Sequence, residues 1–242
     1  MISPLSEGVR SRTAVVTSAA RGLGGHLTRR LLETGFEVVA HYRRNRGDLD
    51  AMASDFPGKL HIVQGDLTDP VDRGALLQIA EGHWGQLGVL LNVLGLYPEK
   101  TLDLITLEEW TMIFESTCTA TFDLTRLARP LLAATAGARI INIGDSSADR
   151  IAARVTATPY HVAKMGVHIL TRSYAKLLGS DRITVNMVSP GFLENSVGCP
   201  PEVPMGRLGT FDDIWGAVRY LLSPEADYVS GANLVVSGAW NL

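Results

Sequence analysis

The sequence predicts an α/β fold in which a parallel sheet is doubly wound by helices on both faces. Three features point to it. Short apolar runs alternate with longer stretches of helical periodicity along nearly the whole chain. Several of those runs are apolar throughout, as strands covered on both faces are. The first run ends in small residues that lead directly into a helix. No linker interrupts the alternation, so a single domain over residues 1–242 is expected.

Thr13-Ala14-Val15-Val16-Thr17 is apolar and β-branched and reads as the first strand. Leu23, Leu27, Leu31 and Leu32 follow at helical spacing and end near Gly35. Residues 37–41 and 60–63 read as the second and third strands, 71–84 as a helix, and 87–93 as a nearly all-apolar fourth strand. Residues 106–132 read as one long helical region. Its start, Thr106-Leu107-Glu108-Glu109, is a capping box: the Thr oxygen takes a free N–H while Glu109 reaches back. Residues 139–143 form the fifth strand. Thr158-Pro159 opens a helix to about residue 178, proline being favoured in a first turn. Residues 183–188 and 233–236 are the last strands, with a helix over about 211–222 between them.

The chain has 242 residues and a net charge of −3, with no Lys/Arg run to suggest nucleic acid. No stretch is long and apolar enough to span a membrane. Residues 1–12 lack the apolar stretch of a signal peptide, and a cytoplasmic setting is expected. The two cysteines, Cys118 and Cys199, belong to no metal-ligand cluster and are expected as free thiols.

Tyr160 and Lys164 stand one helical turn apart and share a face. An ammonium beside a phenol favours phenolate, which equips the pair to move a proton to or from a carbonyl or imine. The turn Thr17-Ser18-Ala19-Ala20-Arg21-Gly22-Leu23-Gly24 lets backbone approach a pyrophosphate at a helix N-terminus. The second strand runs out in His41-Tyr42-Arg43-Arg44-Asn45, where this fold meets an adenosine ribose. A carboxylate there would select NAD. This chain instead offers Arg43, Arg44 and, from the first turn, Arg21, so NADP(H) is expected.

With these stretches, Gly65-Asp66-Leu67-Thr68-Asp69, Asn92-Val93-Leu94-Gly95, Asn186-Met187-Val188-Ser189-Pro190-Gly191 and Ser230-Gly231 complete an ordered set. In order and spacing the chain resembles the short-chain dehydrogenase/reductase family over residues 13–240. The resemblance implies an NAD(P)-binding Rossmann fold of about seven parallel strands. It also implies roles. Asp66 and Leu67 would contact adenine, and Asn92 and Gly95 would run along the ribose. Pro190, Gly191 and Leu193 would border the nicotinamide. Tyr160 would donate the proton, while Lys164 would hold the nicotinamide ribose and depress the Tyr160 pKa.

His41-Tyr42-Arg43-Arg44, Leu96-Tyr97-Pro98 and Ile141-Asn142-Ile143-Gly144-Asp145 further resemble pteridine reductases, which place Asp where most of the family has a polarising serine. Strand register gives that position to Asp145; Ser147, thirteen residues before Tyr160, has the typical spacing of the serine. The chain also departs from the family pattern. Ser18 replaces a glycine, and Val93-Leu94 replaces Asn-Ala. Thr117 stands where many members anchor a relay water with Asn, and Asn195 stands for a Thr near the nicotinamide amide. Ser237-Gly238-Ala239 replaces Asp-Gly-Gly. Gly22 and Leu96 replace the arginine and the stacking aromatic of many pteridine reductases.

A short substrate loop is expected over residues 194–205, restricted by Pro200, Pro201 and Pro204. Trp240 can dock on its own chain or reach a neighbouring subunit, the resemblance implying a homotetramer or a dimer. The expected function is NADPH-dependent reduction of a small-molecule C=O or C=N substrate, pterin-like or of the ketone or 3-oxoacyl type. An NADP-binding sensor or scaffold is the alternative of another class.

Overall fold

The first strand, β1 (Thr13–Val16), lies in the interior, third in a seven-stranded parallel sheet of order β3-β2-β1-β4-β5-β6-β7. The other strands are β2 (Glu37–Tyr42), β3 (Leu60–Gln64), β4 (Val89–Asn92), β5 (Arg139–Ile143), β6 (Thr184–Pro190) and β7 (Asn233–Val236). The helices are α1 (Gly22–Glu33), α2 (Leu49–Asp55), α3 (Pro70–Trp84), α4 (Leu107–Phe114), α5 (Ala120–Ala133), α6 (Thr158–Leu178) and α7 (Phe211–Leu222). The structure is a computed structural model and describes residues 8–196, 198 and 202–240.

The strands split their side chains between two cores, as a period of two requires. Ala14, Val16, Val38, Ala40, Val89, Leu91 and Ile141 join Leu27 and Leu31 of α1 and Ile214 and Val218 of α7. Val15, Val39, Leu90, Ile140 and Val185 face the other way, onto Leu76 and Leu77 of α3 and Leu124 and Ala128 of α5. Order reverses between β1 and β4, and the crevice beyond their carboxyl ends is where open α/β sheets bind ligands.

Two elements differ from expectation. The helical region over 106–132 is interrupted by a π-helical turn at Glu115–Thr119. Its Ser-Thr-Cys-Thr run consists of weak helix formers, and Thr121 Oγ1 donates to the Thr117 carbonyl at 2.7 Å. The short α2 carries little periodic signal, because only Leu49 and Met52 are buried. The capping box at Thr106 and Glu109 is present as read.

Arg73 of α3 and Asp123 of α5 form a buried ion pair at 2.7 Å, and Arg73 also donates to the Leu67 carbonyl at 2.8 Å. Arg126 also donates to Asp123, from Nε at 3.0 Å and Nη2 at 2.7 Å, so the carboxylate keeps one partner when Arg73 is removed. Arg73→Met is expected to cost about 1.5–3 kcal/mol in urea unfolding, the scale of hydrogen bonds to charged groups, and an unchanged midpoint would refute the pair's structural role.

Candidate active site

α6 enters the crevice after a loop tied to residues 100–102. Leu102 N–H donates to Val155 O at 2.8 Å and Ala157 N–H to Lys100 O at 2.9 Å. Pro159 lies in the first turn, and Tyr160 and Lys164 follow on one face. Lys164 is buried, and its Nζ donates to the carbonyls of Leu94 at 2.5 Å and Ile143 at 2.6 Å, just past β4 and at the end of β5. Gly95 makes the approach possible: a Cβ there would stand 3.0 Å from Lys164 Cε, 3.1 Å from Nζ and 3.3 Å from Tyr160 Cε2.

Burial lowers the Lys164 pKa to about 8, against the opposing pull of Asp145. Tyr160 moves the other way. Burial, the Asp145 charge and the Asp145 hydrogen bond together hold its phenol well above the ordinary value. Any lowering of the Tyr160 pKa by Lys164 is thus outweighed by burial and the Asp145 carboxyl. The ammonium is turned to backbone carbonyls, with Nζ 5.6 Å from the Tyr160 ring centroid, and the carboxyl group is the nearer influence.

Both candidates after β5 are in place, but they do not share one position. Tyr160 Oη donates to Asp145 Oδ2 at 3.4 Å. Ser147 lies behind the carboxyl: its N–H donates to Asp145 Oδ1 at 2.9 Å, and its hydroxyl donates to the same oxygen. Strand register, not residue count, thus identifies the group that faces Tyr160. His161 joins this cluster, with Nδ1 3.5 Å from Ser147 Oγ and 4.0 Å from Asp145 Oδ1. Sequence reasoning missed it, although it directly follows Tyr160. Tyr97 packs edge-on against Tyr160, ring centroids 5.2 Å apart, whereas Leu96 is exposed and does not line the cavity.

A cavity of about 570 Å³ extends from Leu23, past Val93 and Gly95, to Tyr160, Lys164, Pro190, Gly191 and Leu193. Its turn suits a pyrophosphate. The N-cap of α1, Arg21, provides no side-chain cap, so first-turn N–H groups remain for an anion. Gly24 is required, since a Cβ there would come 2.1 Å from Ser18 O. Ser18 takes the left-handed conformation, φ 52°, expected of the glycine it replaces.

Several expected cofactor contacts are placed otherwise. His41 is buried beneath the turn, accepting from Ser18 N–H at Nδ1 (3.2 Å) and donating from Nε2 to Gly65 O (3.0 Å). Burial lowers its pKa. Leu67 packs into the core under α3 and α5, and Asn92 is buried, with Nδ2 on Asn142 Oδ1 at 2.9 Å. Neither lines the cavity. Thr17 holds the turn to the segment after β4, its Oγ1 accepting from Val93 N–H at 2.8 Å. Leu94, expected as an obstacle at the ribose, has its side chain buried in the same core as Leu67.

Arg43 pairs through Nε with Asp66 at 2.8 Å, beside Tyr42, whose hydroxyl meets Gln64. Among the described residues Arg21 and Arg44 form no ion pair, and Asn45 turns its side chain to Gly47 N–H. Asn195 reaches across the cavity to within 3.8 Å of the Cβ position of Gly22. Trp240 lines the cavity and packs on Phe192 of its own chain, centroids 5.2 Å apart. Cys118 is a free thiol pushed up by burial and packed against Gly166. Cys199, Pro200 and Pro201 of the expected substrate loop lie outside the described residues. Among the described residues no cluster of His, Cys, Asp or Glu could hold a metal, and no helix is long and apolar enough to cross a membrane.

The chain belongs to the short-chain dehydrogenase/reductase family: a family model described as enoyl-(acyl carrier protein) reductase matches residues 18–241. The 3-oxoacyl-(acyl-carrier-protein) reductase FabG of Vibrio cholerae is 31% identical over 243 residues, covering 95% of this chain and 97% of the relative. Nodulation protein G of Azospirillum brasilense is 29% identical over 247 residues, covering 95% and 98%. Among solved structures, a short-chain dehydrogenase/reductase of Serratia marcescens superposes with a TM-score of 0.88 at 27% identity, covering 98% of this chain and 100% of that one. A blue fluorescent protein from a metagenomic library, in complex with NADPH, gives the same TM-score of 0.88, identity of 27% and coverage of 98% and 100%.

NMR of lysine-labelled protein is expected to show one ammonium titrating near pH 8, and Asp145→Asn should move it lower by removing the nearby negative charge. A midpoint at the ordinary lysine value would contradict the burial of Lys164.

Proposed function

We propose that the chain is an NADP(H)-dependent reductase of a carbonyl substrate, of the ketone or 3-oxoacyl type. The observation that carries this reading is the Tyr160 hydroxyl on the cavity wall, bonded to the Asp145 carboxyl, with the buried Lys164 ammonium 5.6 Å from its ring centroid. The 3-oxoacyl reductases among the relatives support the substrate type. The NADPH-bound relative and the basic groups Arg21, Arg43 and Arg44 support the cofactor.

The turn from Thr17 to Gly24 would hold the pyrophosphate on the N-terminus of α1, with Arg43 and Arg44 beside the adenosine end. Gly95 and Lys164 would lie along the nicotinamide ribose, with Pro190, Gly191 and Leu193 at the nicotinamide. Bound there, the dinucleotide supplies the hydride. Tyr160 supplies the proton: its raised pKa keeps the phenol protonated at neutral pH, ready to protonate an oxygen that gains negative charge. The Lys164 ammonium steadies the phenolate left behind, and Asp145 accepts the phenol hydrogen bond and holds it in line.

A second reading, reduction of a C=N bond in a pterin-like ring, draws on one observation: a carboxyl rather than a serine faces Tyr160. Tyr97 also brings to the wall an aromatic ring that Leu96 does not provide. Of the departures that motivate a non-catalytic binder, Ser18 takes the left-handed turn of the glycine it replaces, and Leu94, though it lines the cavity, is buried in the core, while Thr117 Oγ1 has no hydrogen-bond partner among the described residues; the Tyr160–Lys164 pair favours turnover.

NADPH oxidation with 3-oxoacyl thioesters, ketones and pterins is expected to fall at least about a hundredfold in Tyr160→Phe, with calorimetric NADPH affinity nearly unchanged. Tight NADPH binding without turnover of any substrate would favour the sensor or scaffold. The reductive kcat is expected to decline as pH rises through about 8, where Lys164 loses its charge. Arg44→Ala should weaken NADPH roughly tenfold and leave NADH almost unaffected; equal losses for both would refute its role at the extra phosphate.

A further inference from the structure

The reductase reading, on which this inference rests, leaves Tyr160 short of one proton after each turnover. Lys164 does not return it by a direct hydrogen bond in this structure, where Nζ is bound to two backbone carbonyls and stands 5.6 Å from the ring centroid. Thr117 is fully buried, and its Oγ1 has no hydrogen-bond partner. On the other side of Tyr160 a connected path exists. From the geometry we infer that Tyr160 is resupplied from solvent through Asp145, Ser147 and His161, with His161 as the solvent-facing proton carrier.

Ser147 donates along this path toward Asp145, while the phenol, until it has given its proton away, donates to the carboxyl from the other side. His161 Nδ1 stands 3.5 Å from Ser147 Oγ, Ser147 Oγ donates to Asp145 Oδ1, and Tyr160 Oη lies 3.4 Å from Asp145 Oδ2. The distances at both ends are long for hydrogen bonds, as catalytic contacts without substrate commonly are. The imidazolium gives its Nδ1 proton to Ser147 Oγ as Ser147 passes its own hydroxyl proton to Asp145 Oδ1. The carboxyl then turns about Cβ–Cγ and hands that proton to the Tyr160 phenolate. The neutral imidazole takes a proton from water. One proton enters for each one Tyr160 gives away, and no electrons move.

The surroundings of His161 suit this task. It is half-buried on the cavity wall. Asp145, Ser147 and Arg154 of the β5–α6 connection face it, with Tyr97 from the segment after β4 and Tyr160 beside it on α6; Glu99 lies on the same cavity wall. Burial lowers its pKa, Asp145 opposes that, and Arg154 adds to the lowering. Its ring packs edge-on against Tyr160 and Tyr97, but the carboxyl does not depend on it. Ser147 already satisfies Asp145 through both its N–H and its hydroxyl without the imidazole.

His161→Gln and Ser147→Ala separate the possibilities. Each is expected to lower kcat about tenfold or more above pH 7, with KM little changed. Millimolar imidazole should restore His161→Gln but not Ser147→Ala. Unchanged pH profiles, or no response to imidazole, would overturn the path. NMR titration of labelled histidine in the cofactor-free protein gives an independent readout. His161 should titrate in two coupled steps that merge into one in Asp145→Asn. A single step, the same in both proteins, would also overturn it, and this measurement decides alone if either other variant folds poorly. A wild-type protein that reduces no carbonyl would sink the reductase reading, while the titration still tests the linkage.

Discussion

A buried ammonium sets the layout of the cavity. Lys164 brings a charge out of water, which requires close polar partners. It finds them in the carbonyls of Ile143 and Leu94, where β5 ends and just beyond β4. One side chain of α6 therefore ties the helix to two central strands at their carboxyl ends. The neighbouring residues follow from that tie. Gly95 can carry no side chain without meeting Lys164 and Tyr160, and Tyr160 is delivered to the cavity wall one turn before the lysine. Burial also brings the Lys164 pKa to about 8, so the charge that organises the site can be lost within an accessible pH range.

The phosphate turn is stabilised by different means. Ser18 adopts a left-handed backbone that costs a non-glycine residue roughly 1–2 kcal/mol. His41 helps to hold it, accepting the Ser18 N–H at Nδ1 while Nε2 donates to Gly65 O. That arrangement needs a neutral ring of one tautomer, and burial disfavours the charged form. A residue expected beside the cofactor thus serves from beneath, as the brace of a strained turn that joins β1, β2 and the segment after β3.

What was legible in the sequence follows the range of the interactions. Residues 139–143, 158–178 and 233–236 read as the elements they form, because each has a clear period or a clear start. The π-helical turn at Glu115–Thr119 was not legible: its residues keep helical spacing, and the insertion depends on side chains bonding back to the local backbone. For the site, Tyr160, Lys164 and Asp145 could be read from helix spacing and strand register. His161 could not. Successive residues on a helix point in different directions, and its approach to Ser147 depends on how the connection over 144–157 folds back. Asn92 and Leu67 sit in matching stretches, but the fold turns their side chains into the interior, which the order of motifs alone does not reveal.

Asp145 bears on direction as well as geometry. A serine facing Tyr160 would add no negative charge, leaving burial, which favours the phenol, opposed by the Lys164 ammonium, which favours phenolate. The carboxyl works against that, and with burial it holds the phenol well above its ordinary pKa. Oxidation of an alcohol needs the phenolate as base, whereas reduction of a carbonyl needs the phenol as acid. Near neutral pH only the second form is abundant here. On the reductase reading, replacing a neutral hydroxyl by a carboxyl therefore biases the same Tyr–Lys pair toward giving a proton, and makes a supply of protons to that carboxyl part of the same design.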